Sequence, residues 1–465
     1  MRNLLIACCL LWPLSGSADW FEDLKSTATD EQLHQLLYEM PKGGNLHHHM
    51  SGEVFSEWWY DLAIAAGEQG YRYYTKVKIN NCREQGEAGW DDYLLHYGNL
   101  LEANWLKLSD CEKAEYVRLE ELTPDQKRQW LDGVRLDKPF EGRNEFFEKH
   151  WQRLGDISAN PWIGAEIILK NFEAYADEGL IYLEPQVTPM GFIDIHGNRI
   201  PPDEIAAYYR SRLEEKAFRD TGMTYRFQIA ILRFLPQAEE HLKRAYRFAA
   251  ENEPWVAINM VGREDDDKGY PLRFLDTIRE LRQQYSGVRL SIHAGEVDEP
   301  NDHVRDTLLL GADRIGHGLN LITDDDTMRL MRHGPYMVEI NLISNLLLEY
   351  IDDYSQHPFP EYLRIGIPVA LSTDDRGMWD STMTDEFFVA VKEFNLSWEE
   401  VKTLSRNSLK YAFVPEETRA VLLETYDARI RGFERKMAKS GLRGLQGKPA
   451  PKRGFVCRRY GLCAP

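Results

Sequence analysis

Four short segments, far apart in a chain of 465 residues, end in side chains that bind or activate a metal: Leu46-His47-His48-His49, Ser291-Ile292-His293-Ala294-Gly295-Glu296, Arg314-Ile315-Gly316-His317-Gly318 and Leu371-Ser372-Thr373-Asp374-Asp375. Side chains alternate across a strand with period two, so His47 and His49 share one face and can share one ion, while His48 points away into a structural role. A third His and a carboxylate would complete a nitrogen and oxygen set suited to Zn²⁺, which lowers the pKa of a bound water to about 7 when one coordination position stays open. The pattern predicts a hydrolytic zinc site. A lone His at a strand end is usually just a hydrogen-bonded polar residue, and Asp374-Asp375 alone would read as a helix N-cap pair. Their joint occurrence at several strand ends is what favours a ligand role.

Such groups must be brought together by strands. After the strand at His47, apolar runs rich in β-branched residues recur at 180–187, 225–232, 255–262, 289–296, 314–318, 336–343 and 368–375. Between them, 202–219, 272–285 and 325–332 carry helical spacing. Eight strand-then-helix units predict an α/β fold of the (β/α)8 TIM barrel class. His49, Glu184, His293, Glu296, His317, Asp374 and Asp375 all fall near the C-terminal ends of these strands, where barrel enzymes build their sites. A doubly wound open sheet would need ligands converging from both of its edges.

Composition narrows the class. A hydrophobic content of 43% with 12 Trp, 23 Tyr and 19 Phe excludes wholesale disorder. The net charge of −19 argues against nucleic acid as a partner and for a neutral or cationic small molecule. Residues 53–160 exceed one crossover helix and read as an insertion over the barrel mouth, with the aromatic residues Trp58-Trp59-Tyr60 and Tyr71-Arg72-Tyr73-Tyr74 forming a local core in preference to a substrate platform. Beyond Asn407 the chain reads as helical through Lys439, and 441–465 as a basic, Gly/Pro-rich tail. The barrel domain is expected over 19–440.

At the N-terminus, Arg2, the apolar run 4–14 and the small residues Ser15-Gly16-Ser17-Ala18 have the layout of a secretory signal cleaved near Ala18, with export to a periplasm or the medium. The run is too short to span a bilayer, and a lipoprotein reading at Cys8 has too little chain ahead of it. Removing 1–18 leaves Cys82, Cys111, Cys457 and Cys463, for which local pairing into Cys82–Cys111 and Cys457–Cys463 closes the smallest loops. No Cys-x-x-Cys pair supports a structural zinc alternative.

The ordered motifs Pro41-Lys42-Gly43-Gly44-Asn45-Leu46-His47-His48-His49, His293-Ala294-Gly295-Glu296, Arg314 to Gly318, Ser344-Asn345 and Ser372-Thr373-Asp374-Asp375 resemble those of the adenosine deaminases in the amidohydrolase superfamily. More loosely, the start, the signal and the insertion resemble the secreted adenosine deaminase-related growth factors. The resemblance covers Pro41 to Phe413. It implies His47, His49, His293 and Asp374 as ligands of one Zn²⁺ per chain and Glu296 as proton donor to the purine ring. It further implies that His317 and Asp375 orient and deprotonate the attacking water, and that Gly262 contacts the purine through its backbone. The implied reaction turns adenosine or 2′-deoxyadenosine into inosine or 2′-deoxyinosine plus ammonia, and the secreted relatives make a homodimer possible.

An aromatic amine leaves poorly, so attack at C6 needs a strong nucleophile and a proton delivered to N1 as charge develops. Glu296 must be protonated for that, which a water-poor pocket favours. Where the family commonly has Asp two residues after the second His, contacting the ribose 5′-hydroxyl, this chain has Ser51. That departure makes methylthioadenosine, adenine or another 6-aminopurine an alternative substrate. A different amidohydrolase reaction would often need a bridging Lys where Gly262 stands. A nucleoside-binding or signalling protein with a relic site is the third reading.

Overall fold

The computed structural model describes residues 19–463. Among them, eight parallel strands form the barrel: β1 (Gly44–Asn45), β2 (Tyr182–Leu183), β3 (Phe227–Leu232), β4 (Trp255–Val261), β5 (Arg289–Ala294), β6 (Arg314–His317), β7 (Met337–Ile340) and β8 (Val369–Leu371). β3 to β8 are hydrogen-bonded in sequence order, and β1 pairs β2, which pairs the short lead-in Thr224–Tyr225 before β3. Single bridges complete the ring. His49 pairs Gln186 and Gln186 pairs Gln228, while His48 pairs Asp374 and so joins the first strand to the last. That seam is held by His49 N–H donating to Asp374 O at 3.2 Å and Asp374 N–H donating to His47 O at 3.0 Å. The expected (β/α)8 barrel is the fold.

The strands read as apolar runs because helices cover their outer face and the barrel's own side chains fill the inner one. In β4 every residue except Val256 is buried, and β6, β7 and β8 are buried throughout. The run predicted over 180–187 forms only a two-residue strand. Pro185 cannot donate to a ladder, and the pairing resumes at Gln186. The helical stretch expected from Asn407 to Lys439 is two helices, Trp398–Lys410 and Glu416–Ser440, broken just ahead of the second by Pro415.

Between β1 and β2 the chain makes a small antiparallel sheet from Tyr73–Lys76, Asn99–Leu101 and Tyr116–Arg118, with Cys82 bonded to Cys111. Trp59, Tyr60, Tyr71 and Tyr73 are buried there, away from the barrel mouth. Cys457 is bonded to Cys463, and the chain beyond residue 441 is docked on the barrel. Phe455, Val456 and Leu462 are buried, and Arg453 pairs with Asp380 and Glu57.

Candidate active site and metal centre

Three imidazoles and one carboxylate converge at the C-terminal mouth. His49 Nε2 lies 3.2 Å from Asp374 Oδ1 and 3.3 Å from His293 Nε2, and His47 Nε2 lies 3.4 Å from Asp374 Oδ1. Ligands at about 2.0–2.1 Å from a tetrahedral zinc stand about 3.4 Å apart. These three separations are close to that spacing. His47 Nε2 and Asp374 Oδ1 are buried without a hydrogen-bond partner, as metal-ligating atoms would be in a protein lacking the metal. Asp374 adopts φ +53°, a backbone cost of about 1–3 kcal/mol for a residue other than glycine, of the kind that gathers at functional sites.

Three of these four groups are held from behind. His47 Nδ1–H donates to Glu339 Oε2 at 2.8 Å, His293 Nδ1–H donates to Asn259 Oδ1 at 2.7 Å, and Ser344 Oγ–H donates to Asp374 Oδ2 at 2.6 Å. These partners turn both rings so that Nε2 faces inward. Burial pushes His293 well below its ordinary value and lowers His49, keeping both neutral as ligation requires. His47 goes the other way, raised to about 9 because Asp374 and Glu339 flank its two nitrogens. A cation at the centre would take the place of that proton.

Glu296 follows in the same segment as His293. Gly295, at φ +77°, turns the chain after β5, and Glu264 clamps the turn by accepting from Gly295 N–H at 3.0 Å and Glu296 N–H at 3.1 Å. Burial, Asp374 and Glu264 together raise Glu296 well above the usual carboxylate range. Its Oε2 is 3.7 Å from His317 Nε2. Asn345 donates to His317 Nδ1 at 3.1 Å and is itself fixed by His357 at 3.1 Å. His317 Nε2 lies 4.0 Å from Asp374 Oδ2, and Asn341 Nδ2 stands 3.4 Å from both ring nitrogens. His317 belongs to the donor cluster with His47, His293 and Asp374, while His49 groups with Asp374 and Asp375. Asp375 heads the short helix Arg376–Trp379 without capping it; its Oδ1 is unpartnered, and burial beside Asp374 raises its proton affinity. Only glycine fits at 52, where a Cβ would fall 1.5 Å from that Oδ1.

These groups open into a cavity of about 950 Å³, which His49, Ser51, Gly262, His293, Glu296, Asp374 and Asp375 all line. The insertion contributes Phe146, Phe147 and Trp151 to its mouth. His48 faces outward, 3.4 Å from Glu53, and Glu184 lies deeper in the barrel on Arg314. Sequence reasoning missed Glu339, Asn259 and Glu264. For Asn259 and Glu339 a single polar residue inside the apolar runs of β4 and β7 was the available signal, whereas Glu264 sits in a charged loop past the end of β4.

The adenosine deaminase family model matches residues 115–429. Among similar sequences, an adenosine deaminase of Clostridium acetobutylicum is 30% identical over 38% of this chain and 52% of its own length. An adenine deaminase of Aspergillus oryzae is 27% identical over 54% of this chain and 69% of its own. The chain thus spans about half to two thirds of these relatives. Among solved structures, an adenine deaminase from Arthrobacter aurescens superposes with a TM-score of 0.61 at 19% identity, covering 84% of this chain and 99% of that one. A zinc-containing amidohydrolase from Burkholderia ambifaria gives 0.59 at 19% identity, covering 87% and 94%. At these identities the likeness is one of fold. The similar sequences are mostly cytosolic deaminases, which overturns the expectation of an exported protein cleaved near Ala18; residues 1–18 lie outside the described structure. No helix among the described residues is long and apolar enough to cross a membrane.

Proposed function

The chain belongs to the adenosine deaminase family, and from that premise we propose that it is a zinc-dependent aminohydrolase converting adenosine and 2′-deoxyadenosine to inosine and 2′-deoxyinosine with release of ammonia. The observation that carries the reading is a buried, proton-holding Glu296 beside four inward-facing donors with zinc spacing. His47, His49, His293 and Asp374 would hold the ion, which supplies the Lewis acidity that makes water a nucleophile near neutral pH.

The remaining steps belong to the side chains. Glu296 delivers its proton to purine N1 as water adds at C6, so negative charge does not accumulate on the ring. His317, kept neutral because burial pushes it down to about 3, donates from Nε2 to orient the attacking water. Asp375, with raised proton affinity, takes the proton released by that water and returns it to the amino group as the C6–N bond breaks and ammonia leaves, while the hydroxyl proton remaining at C6 passes to Glu296 as the 6-oxo group forms. The N–H of Gly262, at φ +99° at the end of β4, is free to meet the purine edge.

A second reading, turnover of methylthioadenosine or adenine, is supported by the uncharged Ser51 at the cavity wall and by adenine deaminases among the relatives. The test is the ultraviolet shift from adenosine to inosine, repeated with 2′-deoxyadenosine, methylthioadenosine and adenine, before and after chelation. A shift abolished by chelator and restored by Zn²⁺ is expected, largest with the two nucleosides. No shift on any 6-aminopurine with zinc bound would sink the reading.

A further inference from the structure

Gln186 is the buried group in the cavity wall that the chemistry above leaves unused. Its bridges to His49 on one side and Gln228 on the other place all three on the inner face of the barrel, since paired residues of neighbouring strands face the same side. The interior polar groups below it are satisfied. Glu184 takes Arg314 at 2.6 Å and Tyr182 at 2.7 Å, and Gln228 donates to Leu46 O at 3.0 Å while accepting from Asn259 at 3.1 Å. Gln186, in contrast, is 96% buried, and neither its carboxamide oxygen nor its nitrogen has a partner. Leaving a buried polar group unmatched costs about 1–3 kcal/mol, so such a group calls for a ligand.

The geometry points to Gln186 as the residue through which the site reads the sugar of its substrate. The inference rests on the nucleoside reading above and gives it a structural basis. A carboxamide offers a donor and an acceptor together. Beyond the amino group, an N9-substituted adenine has only acceptors on its ring, so the base alone would leave the Gln186 oxygen unmatched. Vicinal ribose hydroxyls both donate and accept. The surroundings agree, because Ser51 and Thr188, both uncharged and hydroxyl-bearing, line the cavity from the segments following β1 and β2, and Met50 N–H donates to Gln186 O at 3.3 Å. From the segments of β3 and β4, Leu232, Phe234 and Val261 present an apolar wall suited to a purine face.

The test compares wild type with Gln186→Met, which keeps the volume and removes both polar atoms, after zinc content and melting temperature show each protein folded and loaded. For wild type, kcat/KM should fall about 10-fold from adenosine to 2′,3′-dideoxyadenosine, the equivalent of about 1.4 kcal/mol. In the variant, adenosine should lose the same factor, mostly in KM, while the dideoxy compound changes less than about 2-fold by the same hydrogen-bond accounting. Equal losses on both substrates, or none on either, would overturn the assignment. So would a loss confined to adenine, whose N9–H beside N3 is also a donor–acceptor pair. The affinities of inosine and hypoxanthine, measured by calorimetry on both proteins, separate this from failure of the deaminase reading: without turnover, selective weakening of inosine still upholds the assignment, and unchanged or equal weakening rejects it.

Discussion

Two polar layers sit one above the other inside the same barrel, and they are built on opposite rules. In the lower layer, the fully buried Arg314 binds Glu184 at 2.6 Å and Glu339 at 2.5 Å and lies 3.6 Å from the centre of the Phe413 ring. Its charges are matched. In the upper layer His47 Nε2, Asp374 Oδ1, Asp375 Oδ1 and both polar atoms of Gln186 are buried and unmatched. Equal burial thus serves different ends. The matched layer fixes side chains in place, and the unmatched layer would keep valences open for the ion, water and substrate of the proposed reaction.

The contrast breaks most sharply at Glu296. Glu296→Gln is expected to lower kcat about 10²–10⁴-fold, the ordinary worth of a positioned proton donor, with zinc content intact and no loss of melting temperature, because a neutral amide suits that buried position. A parallel fall in metal content or stability would show the upper layer to be structural after all.

The reverse holds below. Arg314→Met should cost about 3–5 kcal/mol by denaturant titration, since it strands Glu184 and Glu339 without their cation. The fraction that folds should keep measurable turnover. A stability change under about 1 kcal/mol would mean that the two carboxylates relax without their partner.

A smaller effect separates the layers by pH. Arg233, His303 and the amides of Gly295 and Glu296 hold Glu264 down to about 2, against 4.5 when unfolded. A carboxylate depressed in this way contributes stability that is complete above 4.5 and is lost as pH falls toward 2. The interval is worth about 3 kcal/mol. Urea midpoints measured from pH 6 to pH 3 should fall faster in wild type than in Glu264→Gln, and identical slopes would place the acid-sensitive group elsewhere.

Much of the upper layer was legible because strand ends concentrate it. His-x-His, His293 with Glu296, and the Asp pair could be read from type, spacing and position after an apolar run. Their supports were not. Glu339 matters because β7 lies beside β6 in space, where its carboxylate reaches His47, and nothing near residue 339 in sequence announces residue 47. The second strand was overextended because apolar character continues through Pro185 although pairing cannot. The docking of residues 441–463 was hidden for a different reason, since a basic, glycine-rich composition says nothing of Phe455 and Leu462 burying themselves.

The seam between β1 and β8 carries a consequence for biosynthesis. His48 pairs Asp374, so ligands from the first strand and the last meet only when the ring closes. A ribosome releases the early histidines long before their aspartate, and any chain ending short of residue 374 has neither a closed barrel nor a complete coordination set. On the proposed ligand set, the coordination site is completed only when Asp374 joins His47 and His49 at the end of synthesis.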